Sequence, residues 1–520
     1  MVDVLIVGAG HNGLVAAILL AREGLAVEVL ERAGVVGGAC RTEYPFARAP
    51  GLAASTGAYL LGPMQPELLR TLDVELPLIR RDPHYFLPTL DGRHLLLGGD
   101  RADARRQFTE FFSAADAAAD AAYGAELAAL RDDLAPAWFA APLPVEDTAE
   151  RCVRPALRQA FVDLVRGSAM DYLGRFGFAS EAVVAMYAVT DGMPGLTGSP
   201  WSPGSGHNLL VHNMCRLPGA DGTWMVVRGG MGTVTRTLAE AAGRAGARIR
   251  LDTPVERITV ERGAAAGVVT VAGEEIAARV VLVCADAFQL PALLGAHTPS
   301  WLAERVDAWT ARSPGQTMKV NLALSDLPRF AALPEPRGQH GTTVPLMPPP
   351  GPDGSLLTAI RQAFDDADAG RLDSVPPLDW YLHSTLDPSL SDEAGHHSSA
   401  LFVQGVPHTP AGSDWAREKD AYVSRLLDLV EAYAPGVRDL VVDVHALTPP
   451  EIAAHFGITS ANIHHVDNAI SFTDRMPYRA GVDGVYAGAA GCFPAGSVIG
   501  CAGHNAARAV LSDLDIGPPA

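Results

Sequence analysis

The sequence has no CxxC or CxxxxC pair: its six cysteines stand apart at positions 40, 152, 215, 284, 492 and 501. That scatter excludes a zinc ribbon, a small disulfide scaffold and the redox dithiol of a disulfide reductase. Buried reduced thiols are the ordinary reading. A basic surplus is also missing. Forty Lys and Arg face 59 Asp and Glu, for a net charge of −19, which argues against nucleic acid and against tight binding to anionic lipid. No apolar run is long enough to span a bilayer. There is no charge-rich low-complexity tract, internal repeat or coiled-coil heptad. The N-terminal apolar stretch lacks the basic start of a signal peptide and carries Asp3, His11 and Asn12. The expectation is a cytoplasmic protein, with contact to a membrane surface through an apolar tunnel mouth left open. No clustered metal ligands appear, and no residue pattern bears on oligomeric state.

What the chain does have is 520 residues, 48% of them apolar, enough for two domains with separate cores. It begins with an apolar run, Val4 to Val7, that leads into Gly8-Ala9-Gly10-His11-Asn12-Gly13. The spacing predicts a buried strand ending at Gly8 and a helix starting near Asn12. Gly10 leaves room for a pyrophosphate, and Gly13 allows the helix to pack on the strand. Free N–H groups at the helix start suit phosphate. Val27 to Leu30 reads as the second strand, and Glu31, 18 residues after Gly13, stands where a ribose-binding carboxylate belongs. Together these parts specify a dinucleotide site.

The glycine pair Gly37-Gly38 brings a second backbone turn near the pyrophosphate, and Arg41 places a cation there. Extended FAD needs such a second cradle, whereas simple NAD dehydrogenases do not. A second complete GxGxxG is absent, which argues against NAD(P) as the primary cofactor. Near the other end, Gly484 to Gly488 reads as a short strand, followed by a loop with Gly491, Pro494, Gly496 and Gly500, then a helix over Ala502 to Leu511. That helix start can face the flavin or the pyrophosphate.

These features, with Val36-Gly37-Gly38-Ala39, Leu95 to Asp100, Val227 to Gly232, Lys319 to Leu324 and Asn505 to Ala509, resemble the FAD-dependent amine oxidase and phytoene desaturase superfamily. The likeness is strongest to its phytoene-dehydrogenase-like branch, which includes the pyridine nucleotide-disulphide oxidoreductase domain protein 2 group. The resemblance implies non-covalent FAD in an α/β, Rossmann-like domain assembled from discontinuous segments, and an α+β substrate domain with a mixed sheet and helical inserts. The FAD domain is expected over 1–62, 222–296 and 470–520, and the substrate domain over 63–221 and 297–469. Further FAD contacts implied are Arg32, Gly230, Met231, Val255, Gly491 and Val498. One departure stands out: the branch carries a histidine where this chain has Phe493, which predicts a different pocket floor. Cys492 lies in the same loop, as ordinary packing or as a flavin thioether.

The remaining stretches are coarser. Arg101 to Leu134 reads as one helix, Ala149 to Tyr187 as two or three, and Gly192 to Gly222 as loop. Two side chains are candidates for chemistry. Lys319 lies in a strand-like run, either snorkelling or, as the resemblance implies, holding a water at flavin N5. His465, beside His464, is a proton acceptor or a structural histidine. His207 and His212 read as surface or lid residues. Tyr59, Trp380 and Phe493 are candidate pocket linings. The expected activity is dehydrogenation of an apolar or amphipathic small molecule by hydride transfer to flavin, with oxygen or a quinone as acceptor. A flavin-dependent isomerase or saturase, and a non-catalytic flavin-stabilised binding protein, are the alternatives.

Overall fold

The run Val4 to Val7 is apolar at every position, and such a strand is stable only when both its faces are covered. In the computed structural model of the protein, which describes residues 2–220, 222–310 and 314–516, the strand Val2–Val7 lies inside a seven-stranded sheet. It pairs in parallel with Val27–Leu30 on one side and Glu275–Val283 on the other. Arg248–Arg250 extends the parallel set beyond the first neighbour, and Val485–Ala487 beyond the second. Widely separated parts of the chain therefore build one doubly wound sheet. The strands Val255–Glu261 and Ala264–Thr270 add to it in antiparallel sense, through the first half of Glu275–Val283.

Helices His11–Arg22, Gly232–Arg244 and Cys501–Asp513 pack with this sheet. The first and last meet backbone to backbone. A Cβ added at Gly503 would lie 2.0 Å from the Asn12 carbonyl oxygen, so only glycine permits the crossing.

The second unit is a five-stranded sheet in the order Val344–Leu346, Leu378–Tyr381, His397–Gln404, Thr317–Leu324, Val441–Leu447. Every pairing in it is antiparallel, and the mixing of strand senses falls in the first sheet. Thr317–Leu324 is buried at every position, which explains its weak alternation. Met318, Val320 and Leu322 join the core beneath helix Trp415–Tyr433, with Leu426 and Val430. The intervening odd-numbered residues Thr317 and Lys319 face a cavity.

The helical insert differs from its sequence pattern in two places. Ser113 caps a new helix by accepting from the Asp116 amide, so the expected single helix splits into Arg101–Phe111 and Ala114–Leu134. Within the glycine- and proline-rich segment expected to be loop, Ser205–His212 is helical, and residues Ser205 to Val211 are buried. Just before it, helix Glu181–Ala185 continues as a π-helical turn, Met186–Asp191.

Candidate functional site

A cavity of about 310 Å³ connects the glycine turns of the first sheet to the face of the second. The next cavity described measures about 10 Å³, too small for any cofactor. At one end of the large cavity, Gly8 leaves the first strand at φ +104° and the helix His11–Arg22 begins after Gly10. A Cβ added at Gly10 meets nothing within 4 Å, so that position faces open space. Gly37 and Gly38 also have positive φ, and the Gly37 amide donates to the Ala9 carbonyl at 2.9 Å. The two glycine turns therefore lie side by side.

Glu31 closes this end. Its carboxylate accepts from the Ala9 amide at 2.8 Å and the Ala33 amide at 2.9 Å, one per oxygen, leaving lone pairs on each for ribose hydroxyls. Arg41 donates from Nε to the Gly38 carbonyl at 2.6 Å and stacks over Phe456. Arg32, Val255 and Val498 also line the cavity. Helix Pro449–Phe456 supplies Ile452 and Phe456 as a cover, a contribution not expected from the sequence.

Five expected contacts lie elsewhere. Gly13 is tucked under the first turn, where a Cβ would come within 2.1 Å of the Gly8 carbonyl; it shapes the turn from behind. Gly230 and Met231 buttress the second glycine turn from outside: the Met231 amide donates to Ser55 Oγ and its carbonyl accepts from the Cys40 thiol. Gly491 packs against Ala287 and Val466. Phe493 is buried against Phe472, 5.5 Å between ring centroids, so it belongs to the core and not to the pocket floor. Cys492 is fully buried away from the cavity wall, and burial pushes its thiol up to about 12. Trp380 likewise packs in the core of the second sheet.

The other end of the cavity is aromatic. Tyr59, Tyr381 and Phe402 line it, with Tyr59 4.6 Å from Tyr381 and 5.3 Å from Phe402 between ring centroids. Lys319 Nζ sits 3.7 Å above the Tyr59 ring with no hydrogen-bond partner, and burial pushes its ammonium well below the usual lysine range. It does not snorkel to the surface.

Three histidines meet the cavity between these ends. His11 and His465 each keep one buried ring nitrogen without a partner. Burial, followed by the like charge of His465, holds His11 down to about 4, against a backbone bond to Ser497. Burial also lowers His465, opposed by the Asp286 carboxylate. His464 Nε2 bonds the Pro194 carbonyl at 2.6 Å, which gives it a structural role. His207 and His212, expected at the surface or in a lid, are both drawn inward: His207 bonds the Asn468 carbonyl at 2.6 Å, and His212 lines the cavity.

The site fits FAD on its own geometry. Open backbone cradles lie at one end, and the buried polar atoms lacking partners include His11 Nε2, His465 Nδ1 and Lys319 Nζ, all on residues of the cavity wall. A buried donor or acceptor left unpaired costs about 1–3 kcal/mol, so a polar ligand in the cavity would relieve that cost at these atoms. Glu31, Gly8, Gly10, Gly37, Gly38 and Arg41 would hold its adenosine and pyrophosphate parts.

Comparison with known proteins agrees with this geometry. Residues 13–324 match the family model for flavin containing amine oxidoreductase. The chain is 34% identical to mouse pyridine nucleotide-disulfide oxidoreductase domain-containing protein 2, over 98% of this chain and 94% of that protein. It is 23% identical to a component of the limonene dehydrogenase of Castellaniella defragrans, over 99% and 95% of the two chains. Among solved structures, an oxidoreductase from Methanosarcina mazei superposes with a TM-score of 0.62 at 16% identity, covering 98% of this chain and all of that one.

Proposed function

The chain belongs to the flavin containing amine oxidoreductase family and is an FAD-dependent oxidoreductase; from that premise we propose that it dehydrogenates an apolar or amphipathic small molecule, with oxygen or a quinone as final electron acceptor. FAD supplies a two-electron acceptor that takes a hydride at its N5. The observation that carries the reading is the cavity's aromatic and aliphatic end, where Tyr59, Leu60, Tyr381, Phe402 and Ile463 surround Lys319. Burying such side chains around a ligand favours apolar carbon by about 25 cal/mol per Å² of surface removed from water.

The residues have separable tasks in this account. Tyr59 seats the Lys319 amine on its ring and holds Nζ in the cavity. There it presents a hydrogen-bond donor in a space that Phe402 and Tyr381 also line. His465, its ring facing the same cavity, is the candidate proton acceptor. The two glycine turns and Glu31 position the cofactor against them.

The test is anaerobic incubation of the holoenzyme with limonene and with cyclohexylamine, as probes of C–C and C–N oxidation. Loss of the oxidised flavin bands with either one, and their return on admitting air or adding a quinone, is the expected result. A holoenzyme that no apolar or amphipathic donor reduces, but that NADPH does, overturns the reading.

A further inference from the structure

The cavity's aromatic end carries a group of polar side chains that the proposed reaction leaves without a task. His212, the last residue of helix Ser205–His212, lines the cavity. Its Nδ1 lies 3.1 Å from Asp191 Oδ1, and the Tyr85 hydroxyl donates to the same oxygen at 2.6 Å. Asp191 ends the π-helical turn Met186–Asp191 and its side chain is 5% exposed. Such turns occur disproportionately at functional sites.

The imidazole is held from several sides. Its ring lies 4.7 Å from that of Trp224, tilted by 32°, and Trp224 Nε1 donates to the His212 carbonyl at 2.9 Å. Arg81 fixes Trp224 in turn, donating from Nε to the Trp224 carbonyl at 2.7 Å. Rings held this firmly are what a recognition site requires. A carboxylate beside Nδ1 favours the proton on that nitrogen, which leaves Nε2, on the other edge of a ring that lines the cavity, as the acceptor.

The wall of this end carries Tyr59, Tyr381, Phe402 and Trp224 along with His212. A charged head group gives up far more hydration in such surroundings than a hydroxyl, which one hydrogen bond can satisfy.

We propose that His212 is the head-group site of the substrate chamber: its Nε2 accepts a hydrogen bond from a hydroxyl on an otherwise apolar molecule. Asp191 and Tyr85 hold the ring for that task, and the apolar part of the molecule lies along Tyr59, Tyr381 and Phe402. This inference rests on the reading of the cavity as a chamber for an apolar or amphipathic donor, and it specifies the polar group that donor carries.

The test compares 1-octanol with n-nonane, two ligands of the same heavy-atom count that differ in a terminal hydroxyl. Each is titrated into the holoenzyme and followed by the flavin difference spectrum. The hydroxyl should bring binding at least about tenfold tighter, because a site built for a hydroxyl penalises the analogue lacking it. His212→Phe, which keeps a ring against Trp224, should reduce the preference to below about twofold with flavin content unchanged, and His212→Gln should retain part of it through its amide oxygen. Equal binding of the two ligands to the parent protein overturns the inference, and so does a preference that survives in His212→Phe. If neither ligand perturbs the flavin of a yellow protein, the apolar-chamber reading itself fails and takes the inference with it.

Discussion

Lys319 lies on an aromatic ring inside a sheet, in a place where a charge is costly. Burial drives its amine below the ordinary lysine value of 10.5, so between the two values the unfolded chain binds a proton that the folded chain does not. Stability must therefore rise with pH across that window. Lys319→Met removes the dependence. The variant should be more stable than its parent near neutrality, with the gap narrowing as pH approaches 10.5. Urea midpoints of both proteins across a pH series measure this, and a gap independent of pH contradicts it. Gly10 makes a complementary case. An added Cβ there meets no protein atom within 4 Å, so Gly10→Val should fold normally yet purify without flavin, since its side chain fills the space left for the pyrophosphate. A yellow Gly10→Val protein would remove the glycine turn from the site. Both residues could be picked out of the sequence by type and setting, Gly10 from its fingerprint and Lys319 from a charge in an apolar run. His212 could not, because it sits 21 residues after Asp191 in a segment whose glycines and prolines mask any period.

At the scale of elements, helices His11–Arg22 and Cys501–Asp513 cross through Gly503, with both N-termini near the cavity: Asn12 and Val498 line it. The Gly503 amide also donates to Asn12 Oδ1 at 3.2 Å. Gly503→Ala forces a methyl group toward the Asn12 carbonyl and should cost about 1–3 kcal/mol by overpacking. Gly243→Ala, in helix Gly232–Arg244 with nothing within 4 Å of the added Cβ, should instead gain up to about 1 kcal/mol from helix propensity. Denaturation midpoints that move in opposite directions would support the crossing, and no loss for Gly503→Ala would contradict it. The parallel strands Val2–Val7, Val27–Leu30 and Val485–Ala487 were legible because each is a short, mostly apolar run bounded by glycine or an acid. Ser113 hid a helix break inside an alanine-rich stretch, where a single cap outweighs continuous helix propensity. Phe493 was misplaced for a different reason: its position in the C-terminal loop predicted proximity to the flavin, but side-chain direction put it into the core against Phe472.

For the whole molecule, the chain crosses repeatedly between two sheets, and residues of both line the cavity. The glycine-rich end of that cavity is built from segments near the beginning of the chain, and the reactive end from Tyr59, Thr317, Lys319, Tyr381 and Phe402. The centre of the cofactor half could be read locally, since Gly8, Gly10, Glu31, Gly37, Gly38 and Arg41 follow one another in sequence. The chamber half depends on tertiary pairing, as Lys319 aligns with Phe402 only through the register of two strands distant in sequence. No helix among the described residues is long and apolar enough to cross a membrane. The central claim is that FAD occupies this cavity and that an organic donor, not a nicotinamide, delivers electrons to it. Its most direct test is an anaerobic visible spectrum of the purified protein during titration with NADH and then NADPH. Oxidised flavin bands should be present at the start and persist through both additions. A colourless, folded protein, or bands that bleach in proportion to added nicotinamide, would contradict it.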